Sequence, residues 1–400
     1  MSVERILVVN GPNLNLLGTR EPAVYGSTTF EELEDLVRSW GNDSGVVVET
    51  FQSNHEGAII DRLHEARDLD GIVINAGAFT HYSYAIHDAL LAVGLPAVEV
   101  HISNIKAREA WRRHSVTEPA CVASIYGRGI EGYRHAIEHL VRRAEWPVET
   151  HQYGEGPDRV GDIRLPAGTR PHPVVVLLHG GFWHTVWMRD LMDGLAVDLV
   201  RRGWATWNPE YHRVGSGGGW PATFEDVSRA IDWLASPDAP PHLDLSRVVL
   251  MGHSAGGHLA LWAAARNVDV VAHPRPPTAV QPIAVVGLAP VADLAAAHRL
   301  DLDHGAVEAL IRRGPEEARG RYAAASPSEM VPLGIPQLIV HGDADDRVPV
   351  ELSREYVGTA ADAGDTVVYD ELEGVDHFAL IDPTSVAWSK IVRGLDQLVS

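Results

Sequence analysis

Short apolar runs alternate with amphipathic segments along most of this sequence, and this alternation constrains the fold more than any other feature. Between residues 5 and 143, runs of strand length alternate five times with segments of helical periodicity. This pattern predicts a parallel, doubly wound α/β sheet, because neighbouring parallel strands need a crossover helix between them. The predicted strands are Arg5–Asn10, Val46–Asn54, Gly71–Asn75, Ala97–Ser103 and Ala120–Tyr126, and the predicted helices are Thr29–Trp40, Glu56–Asp68, Tyr82–Val93, Lys106–His114 and Glu131–Arg143.

The alternation stops at Trp146-Pro147 and resumes at Pro173. Two strand-like pieces between these points, Glu149–Gly154 and Arg159–Leu165, predict an antiparallel hairpin at the start of a second, mostly parallel sheet of eight strands. We therefore expect two domains, residues 1–146 and 147–400. The other strands predicted for the second sheet are Val174–His179, Ala205–Glu210, Arg247–Gly252, Ala284–Leu288, Gln337–His341 and Thr366–Leu372.

The charge balance excludes several classes of partner. Acidic residues outnumber basic residues by 54 to 33, which gives a net charge of −21 and disfavours binding to nucleic acid or to anionic membrane surfaces. No apolar run approaches the ~18–20 residues of a transmembrane helix, and the N-terminus lacks the pattern of a signal peptide. The single cysteine, Cys121, cannot form an internal disulfide. We expect a cytoplasmic protein without nucleic-acid or membrane partners.

Polar, amide-rich segments follow the predicted strands of the first domain. They are Asn10–Asn13, Ser53–Glu56, Asn75–Ala78 and Glu99–Ser103. Ligands of open α/β sheets bind outside the carboxyl ends of the strands, so these segments predict a site that binds a small hydroxylated acid. The arginines at positions 108, 112 and 113 favour an anionic substrate, although solvated arginines on a helix face would give the same pattern.

The motifs of this domain are similar, in order, to those of type II 3-dehydroquinate dehydratase over residues 1–145. The resemblance implies a flavodoxin-like fold, dehydration of 3-dehydroquinate to 3-dehydroshikimate through an enolate, and a homo-oligomer such as a dodecamer. It leaves open whether the enzyme serves shikimate biosynthesis or quinate breakdown. The matching motifs are Asn10–Gly18, Arg20-Glu21-Pro22 with Tyr25-Gly26, Gln52–Gly57, Asn75–Gly77 with Thr80-His81, Glu99–Asn104, and Arg108 with Arg112–Ser115.

The same resemblance implies a role for each site residue. Tyr25 would be the base, acting as a tyrosinate that the cation of Arg20 favours. Asn13 would help to position the water that stabilises the enolate oxygen. His101 would be the general acid for the departing hydroxyl, and Glu99 would orient it. The substrate's hydroxyls and carboxylate would be held by Asn75, His81, Asp88, Ile102, Ser103, Arg108 and Arg112.

Two further patterns in this domain have alternative interpretations. Gly127–Gly132 matches G-x-G-x-x-G, but no following strand ends in an acid about 20 residues on, so we interpret it as a tight turn. His135–His139 matches H-x-x-E-H on a helix without an evident third ligand. We therefore expect neither a nucleotide cofactor nor a metal.

The second domain contains a pattern typical of a serine nucleophile. The predicted strand Arg247–Gly252 leads into Gly252-His253-Ser254-Ala255-Gly256 and then a helix, which predicts a nucleophile elbow. Upstream, His179–Trp183 follows another predicted strand, where the backbone donors of an oxyanion hole are expected. The candidate donors are Gly180, Gly181 and Ala255.

Candidates for the acid and base follow in chain order. Asp345 is our choice for the acid because it lies four residues before Pro349, as in families with this loop, and Asp343 and Asp346 are the alternatives. His377 follows the last predicted strand. In this arrangement Ser254 would attack an acyl carbon, His377 would take and return the proton, and Asp345 would orient His377.

Residues 148–400 thus resemble the α/β-hydrolase superfamily, and His179-Gly180-Gly181-Phe182-Trp183 resembles a motif of small esterases and arylformamidases. The resemblance implies serine-dependent hydrolysis of a small ester or amide without a cofactor. Two alternatives stay open. In one, the dehydratase carries a catalytically silent hydrolase-fold domain used for assembly. In the other, a hydrolase is regulated by an N-terminal domain that senses a small molecule.

Overall fold

The computed structural model describes residues 3–19, 26–105, 108–146, 148–267 and 278–399. The chain divides into two compact units, Met1–Pro147 and Val148–Ser400. Each unit contains one sheet with helices packed on both faces, which confirms the predicted α/β class.

The first unit contains a five-stranded parallel sheet in the order β2-β1-β3-β4-β5. This is the predicted flavodoxin-like arrangement. Its strands are β1 (Arg5–Asn10), β2 (Val47–Gln52), β3 (Gly71–Asn75), β4 (Ala97–His101) and β5 (Ala123–Tyr126), and its helices are α1 (Phe30–Asp43), α2 (Glu56–Glu65), α3 (Tyr84–Val93) and α4 (Glu131–Glu145).

The apolar run in β1 explains why this sheet is covered on both faces. Ile6 and Val8 pack with α1 and α4, whereas Leu7 and Val9 pack with α2 and α3. Successive side chains of a strand point to opposite faces, so a continuous apolar run can pack against a helix layer on each face. In β1, only the two ends remain for polar side chains, Arg5 and Asn10.

The predicted helix Lys106–His114 is wrong over the part of it that the structure describes. Residues 108–114 contain only a short 3₁₀ turn, Ala110–Arg112, and residues 106 and 107 lie outside the described ranges. The segment offers no apolar stripe that could be buried, since Trp111 is exposed. The Val116 N–H instead donates to the Thr80 carbonyl, which draws the chain across the end of the sheet.

The second unit contains the predicted eight-stranded sheet, in the order β13-β12-β11-β10-β8-β9-β7-β6. Strands β6 and β7 pair antiparallel, as do β7 and β9, and every other pair is parallel. The strands are β6 (Glu149–Gln152), β7 (Val160–Arg164), β8 (His172–Leu178), β9 (Ala205–Pro209), β10 (Leu243–His253), β11 (Ala284–Leu288), β12 (Gln337–Gly342) and β13 (Val367–Leu372).

Helices cover both faces of this sheet. Helices α5 (Asp193–Arg201) and α12 (Val386–Leu398) pack on one face, where Val175 and Leu177 of β8 point. The other face, where Val174, Val176 and Leu178 point, is covered by α6 (Ala222–Trp233), α7 (Ala255–Ala264) and α11 (Glu351–Asp362) together with the insertion between β11 and β12.

That insertion contains three short helices that the sequence analysis did not predict. They are α8 (Leu294–Arg299), α9 (Ala306–Ile311) and α10 (Arg319–Ala325). Each has six or seven residues, which is too short for a helical period to be recognised in the sequence. Their apolar side chains join the core beneath the β10–α7 turn.

Among the described residues, no helix has both the length and the apolar character needed to cross a membrane.

Glycines allow β8, β10 and α7 to approach very closely at the turn that carries Ser254. A Cβ atom added at Gly256 would overlap the carbonyl oxygens of Leu178 and His179, and one added at Gly252 would overlap the Gly256 carbonyl. Every overlapping atom is backbone, so no side-chain movement can relieve the clash.

We predict that Gly256→Ala lowers the free energy of unfolding of the second unit by about 1–3 kcal/mol or more. As a control, Gly358→Ala in α11 meets no atom within 4 Å and is expected to raise it by about 0.5–1 kcal/mol, because alanine favours helix. Urea unfolding followed by tryptophan fluorescence measures both changes. Equal stability of the Gly256→Ala and native chains would contradict this account of the turn.

Candidate active sites

Three buried polar side chains meet at the carboxyl ends of β1, β3 and β4. They are Asn10, Asn75 and His101, and they lie on neighbouring strands. The Tyr133 hydroxyl of α4 donates to Asn10 Oδ1 (2.7 Å) and accepts from Asn75 Nδ2 (2.8 Å). Burial raises the pKa of Tyr133, so the hydroxyl stays neutral. Tyr133 thus fixes the amide of Asn75, a role that the sequence analysis missed.

The Glu99 carboxylate is completely buried beneath His101. It accepts hydrogen bonds from four hydroxyls, those of Thr80 (3.0 Å), Ser115 (2.9 Å), Thr117 and Ser124 (3.3 Å). Its Oε1 lies 3.5 Å from His101 Nε2. Burial alone would raise the pKa of Glu99, but His101 and the hydroxyls outweigh it and lower the pKa to about 2. An ionised carboxylate therefore lies beside the predicted general acid.

The segment after β4 brings several predicted substrate-binding residues near one another. Arg108 donates to Ser103 Oγ (3.5 Å), and the guanidinium groups of Arg108 and Arg112 both lie 3.3 Å from the Glu109 carboxylate. His81 Nδ1 donates to the His114 carbonyl (2.8 Å), and burial lowers the pKa of His81. A neutral His81 with its Nε2 left as an acceptor suits a substrate hydroxyl.

Asn13 lies in a left-handed backbone conformation, with φ at 66°. Its N–H donates to Asn54 Oδ1 (2.9 Å), and Gln52 Nε2 donates to the same oxygen (3.2 Å) and to the Gly11 carbonyl (3.2 Å). The turn after β1 is thus anchored to the end of β2. The sequence analysis quoted Gln52 and Asn54 as motif residues but gave them no role.

The structure does not bring together all of the site residues predicted for the first domain. Arg20 and Tyr25 lie outside the described residues. Asp88 is exposed on α3, and its carboxylate makes no hydrogen bond or ion pair with any residue in the described ranges.

Two N–H groups of the glycine-rich turn at Gly127–Gly132 bond to the end of β4. The Gly127 N–H donates to the His101 carbonyl (3.0 Å), and the Gly129 N–H donates to the Ile102 carbonyl (3.1 Å). The turn therefore fixes the end of β4, next to the buried Ile102, and these two N–H groups are not offered to a phosphate. Within the ranges that the structure describes, no group of three or more His, Cys, Asp or Glu side chains is arranged to hold a metal.

In the second unit, Ser254 occupies the turn between β10 and α7. Its φ and ψ angles of 56° and −119° are strained for a residue other than glycine, and its N–H donates to the Leu288 carbonyl (2.7 Å). Ala255 is the first residue of α7, so its N–H has no acceptor within the helix. This is the geometry of a nucleophile elbow.

His377 lies against Asp345 and no other candidate acid. His377 Nδ1 donates to Asp345 Oδ2 (2.6 Å), which leaves Nε2 available to accept a proton. Asp343 instead accepts from the Gly374 N–H (2.6 Å), and Asp346 is exposed and lies 3.4 Å from Arg347 Nε. Of the three carboxylates considered, only Asp345 can orient His377.

Asp345 is itself held by three donors besides His377. The backbone N–H groups of Arg347 and Val348 each donate to Oδ1 (2.8 Å), and His341 Nε2 donates to Oδ2 (3.1 Å). Burial would raise the pKa of Asp345, but these bonds and His377 hold it well below its usual range. The carboxylate is therefore ionised, and His341 is a supporting residue that the sequence analysis missed.

His253, which precedes the serine, supports His377 from the other side. Its Nε2 donates to the His377 carbonyl (3.0 Å), and the two ring centroids lie 4.4 Å apart. Burial keeps the pKa of His253 well below its usual value, so the ring is neutral.

The loop after β8 lies directly over the serine. A Cβ atom added at Gly180 would lie 2.8 Å from the His253 carbonyl oxygen and 3.0 Å from Ser254 Cβ, so a larger residue would crowd the serine. Gly181 has φ at 106°, and the ring of Trp187 packs against its Cα. The position of this loop suits backbone donors for an oxyanion.

Comparison with known proteins identifies the first domain. Residues 4–141 match the family model described as dehydroquinase class II. The 3-dehydroquinate dehydratase of Thermotoga maritima is 56% identical over 141 residues, which are 35% of this chain and 97% of that enzyme. Through its first domain, the chain belongs to the class II dehydroquinase family. The catabolic 3-dehydroquinase 1 of Neosartorya fischeri is 57% identical to this dehydroquinase over 136 residues, 34% of this chain and 91% of that protein.

The second domain of the chain resembles esterases. Residues 162–358 match the family model described as BD-FAE. A truncated carbohydrate esterase from gut microbiota superposes with a TM-score of 0.54 at 21% identity, covering 63% of this chain and 96% of that protein. This likeness confirms the predicted hydrolase fold.

The ionisation of Glu99 leads to a prediction about acid stability. Its folded pKa of about 2 lies below the ordinary value of 4.5, so its contribution to stability is complete above pH 4.5 and is lost as the pH falls toward 2. In Glu99→Gln, the melting temperature of the first unit should therefore fall less steeply between pH 5 and pH 3 than in the native chain. Scanning calorimetry measures this slope.

The matched control is Glu65→Gln, at an exposed glutamate at the end of α2, which should retain the native slope. Parallel curves for native and Glu99→Gln chains would mean that Glu99 is not the ionised group described above.

Proposed function

We propose that this chain is a bifunctional enzyme. Its first domain dehydrates 3-dehydroquinate to 3-dehydroshikimate through an enolate, and its second domain hydrolyses a small ester or amide with Ser254 as the nucleophile. The first activity is supported by one observation. The first domain is 56% identical in sequence to a 3-dehydroquinate dehydratase, over 97% of the length of that enzyme. The second activity is supported by the hydrogen bond between His377 and Asp345 in a hydrolase fold whose elbow carries Ser254.

In the dehydratase reaction, Tyr25 as tyrosinate removes the proton alpha to the ketone, and Arg20 stabilises its anionic form. Water positioned by Asn13 stabilises the enolate oxygen. His101 then protonates the departing hydroxyl, and the Glu99 carboxylate, 3.5 Å from His101 Nε2, orients the ring. Substrate hydroxyls and the carboxylate bind to Asn75, His81, Asp88, Ser103, Arg108, Arg112 and the backbone at Ile102.

In the hydrolase reaction, Ser254 attacks the acyl carbon as His377 Nε2 accepts its proton. Asp345 holds the Nδ1 proton of His377 and so keeps Nε2 as the acceptor. The N–H groups of Gly181 and Ala255, beside Gly180, stabilise the oxyanion. His377 then protonates the leaving group, and water releases the acyl group from the serine by the same route.

We also propose that the chain acts in the cytoplasm as a homo-oligomer, such as the dodecamer implied by its family resemblance. Its single cysteine and net charge of −21 are consistent with that compartment and with small-molecule substrates in place of nucleic acid or membrane partners.

Tyr25→Phe should abolish dehydration and leave the affinity for substrate within about tenfold, because the change removes only a proton acceptor. Turnover is measured from 3-dehydroshikimate formation, and binding by calorimetry. The control is Tyr82→Phe, which alters an exposed tyrosine and should retain native turnover. Persistent dehydration by Tyr25→Phe would show that another group is the base.

Ser254→Ala should remove esterase activity and labelling by a fluorophosphonate, yet leave dehydroquinate turnover within about twofold. Loss of a serine nucleophile costs on the order of 10⁶ in rate, whereas a distant change that preserves the fold shifts another site by under ~0.5 kcal/mol. Ser389→Ala, on the exposed face of α12, serves as the control and should retain both activities. A tenfold loss of dehydratase turnover in Ser254→Ala, at unchanged oligomer size and melting temperature, would mean that the domains communicate.

A further inference from the structure

Both ring nitrogens of His179, at the start of the loop over Ser254, lie against hydrogen-bond acceptors. Nδ1 is 2.8 Å from the carbonyl oxygen of Gly180, and Nε2 is 2.8 Å from Glu210 Oε1. A carbonyl oxygen and a carboxylate oxygen are both hydrogen-bond acceptors, so the ring lies between two acceptors. His179 is completely buried and is held at both ring nitrogens.

Glu210 is ionised in this setting. Burial would raise its pKa, but Arg213 and His179 outweigh that effect and lower the pKa to about 2. Arg213 NH1 lies 3.0 Å from Glu210 Oε1, and the Arg189 N–H donates to Oε2 (3.0 Å). The carboxylate thus has a fixed position and can hold the imidazole ring in one orientation.

Tyr211 fixes the same histidine from a third direction. Its ring stacks on the imidazole, with centroids 4.3 Å apart and planes 10° apart, and its hydroxyl donates to the His179 carbonyl (2.7 Å). Since both the ring and the backbone of His179 are held, the bond from Nδ1 to the Gly180 carbonyl starts from a rigid donor.

Anchoring the Gly180 carbonyl determines where the next N–H points. In a trans peptide the C=O and N–H bonds point in opposite directions, so the Gly181 N–H is directed away from the His179 ring. It donates to no acceptor in the described part of the chain, and Gly180 packs against Ser254 Cβ. A loop rich in glycine would otherwise allow this peptide to rotate.

We propose that His179 is a positioning residue for the hydrolase reaction. Held between Glu210 and the Gly180 carbonyl, it fixes the Gly180–Gly181 peptide with the Gly181 N–H directed at the oxyanion that forms on attack by Ser254. This inference rests on the proposed hydrolase function. It assigns no contact with substrate to His179, which acts only through the peptide that it orients.

Two substitutions separate the two bonds of the ring. In His179→Asn, the side-chain amide nitrogen falls near the position of Nδ1 and can still donate to Gly180. In His179→Gln, the amide nitrogen falls near Nε2 and can donate only toward Glu210. Both variants are neutral and similar in polarity, so they differ chiefly in the bond to the Gly180 carbonyl.

With p-nitrophenyl acetate as the probe, we expect His179→Gln to lower kcat by about 10²-fold, as for the loss of an oxyanion donor. His179→Asn should lower it by less than about tenfold, and KM should stay within about threefold in both. Affinity for an aryl trifluoromethyl ketone, whose adduct with the serine carries an oxyanion, should weaken in parallel with kcat. A purely structural role would not produce that parallel.

Melting temperatures and dehydroquinate turnover of the same chains control for folding and enzyme concentration. Equal losses in the two variants, or native kcat in His179→Gln, would overturn the inference. If His179→Gln does not fold, His179→Asn alone tests the proposal. A folded His179→Asn that loses kcat by a hundredfold contradicts it, and one that loses less than about tenfold supports it. If the native chain neither cleaves the ester nor is labelled at Ser254 by a fluorophosphonate, the hydrolase function itself fails.

Discussion

Parallel pairing of fully buried strands is the constraint on which both candidate sites depend. The run Ile6–Val9 in β1 and the run Val174–Leu178 in β8 are apolar and buried on both faces. In these two strands the polar side chains lie at the ends. Because parallel strands end at the same edge, residues from distant parts of the sequence meet there. Strand direction therefore decides where each catalytic set assembles, and the motifs decide what chemistry it can perform.

The parts of this structure that follow from local sequence could be predicted, and the parts that follow from tertiary contacts could not. Apolar runs identified both sheets, and the pattern around Ser254 identified the elbow. The supposed helix at Lys106–His114 differs because the chain beyond it is drawn toward Glu99, from a distant strand, by the hydroxyls of Ser115 and Thr117. The roles of Tyr133 and Glu210 could not be predicted for the same reason, because each residue meets its partner only after the sheet has formed.

Glu99, Asp345 and Glu210 are buried carboxylates that each lie against a histidine, and their other partners determine what each pair can do. Glu99 is surrounded by hydroxyls and Asp345 by two backbone N–H groups and His341, whereas Glu210 also pairs with the guanidinium of Arg213. Within the described ranges, neither Glu99 nor Asp345 contacts a guanidinium group. A buried carboxylate is tolerated only when enough donors compensate for its lost hydration. Neutral donors compensate without cancelling the charge, so that charge remains available to a histidine that gains a proton during reaction.

The pair formed by His179 and Glu210 differs in this respect. Arg213 already opposes the charge of Glu210, and both ring nitrogens of His179 lie against acceptors, so neither nitrogen faces a substrate. His377, by contrast, uses only Nδ1 for Asp345. The same two residue types thus form two different arrangements, one in which a single ring nitrogen lies against an acceptor and one in which both do. The difference is decided by whether the second ring nitrogen lies against an acceptor, and not by the residues of the pair themselves.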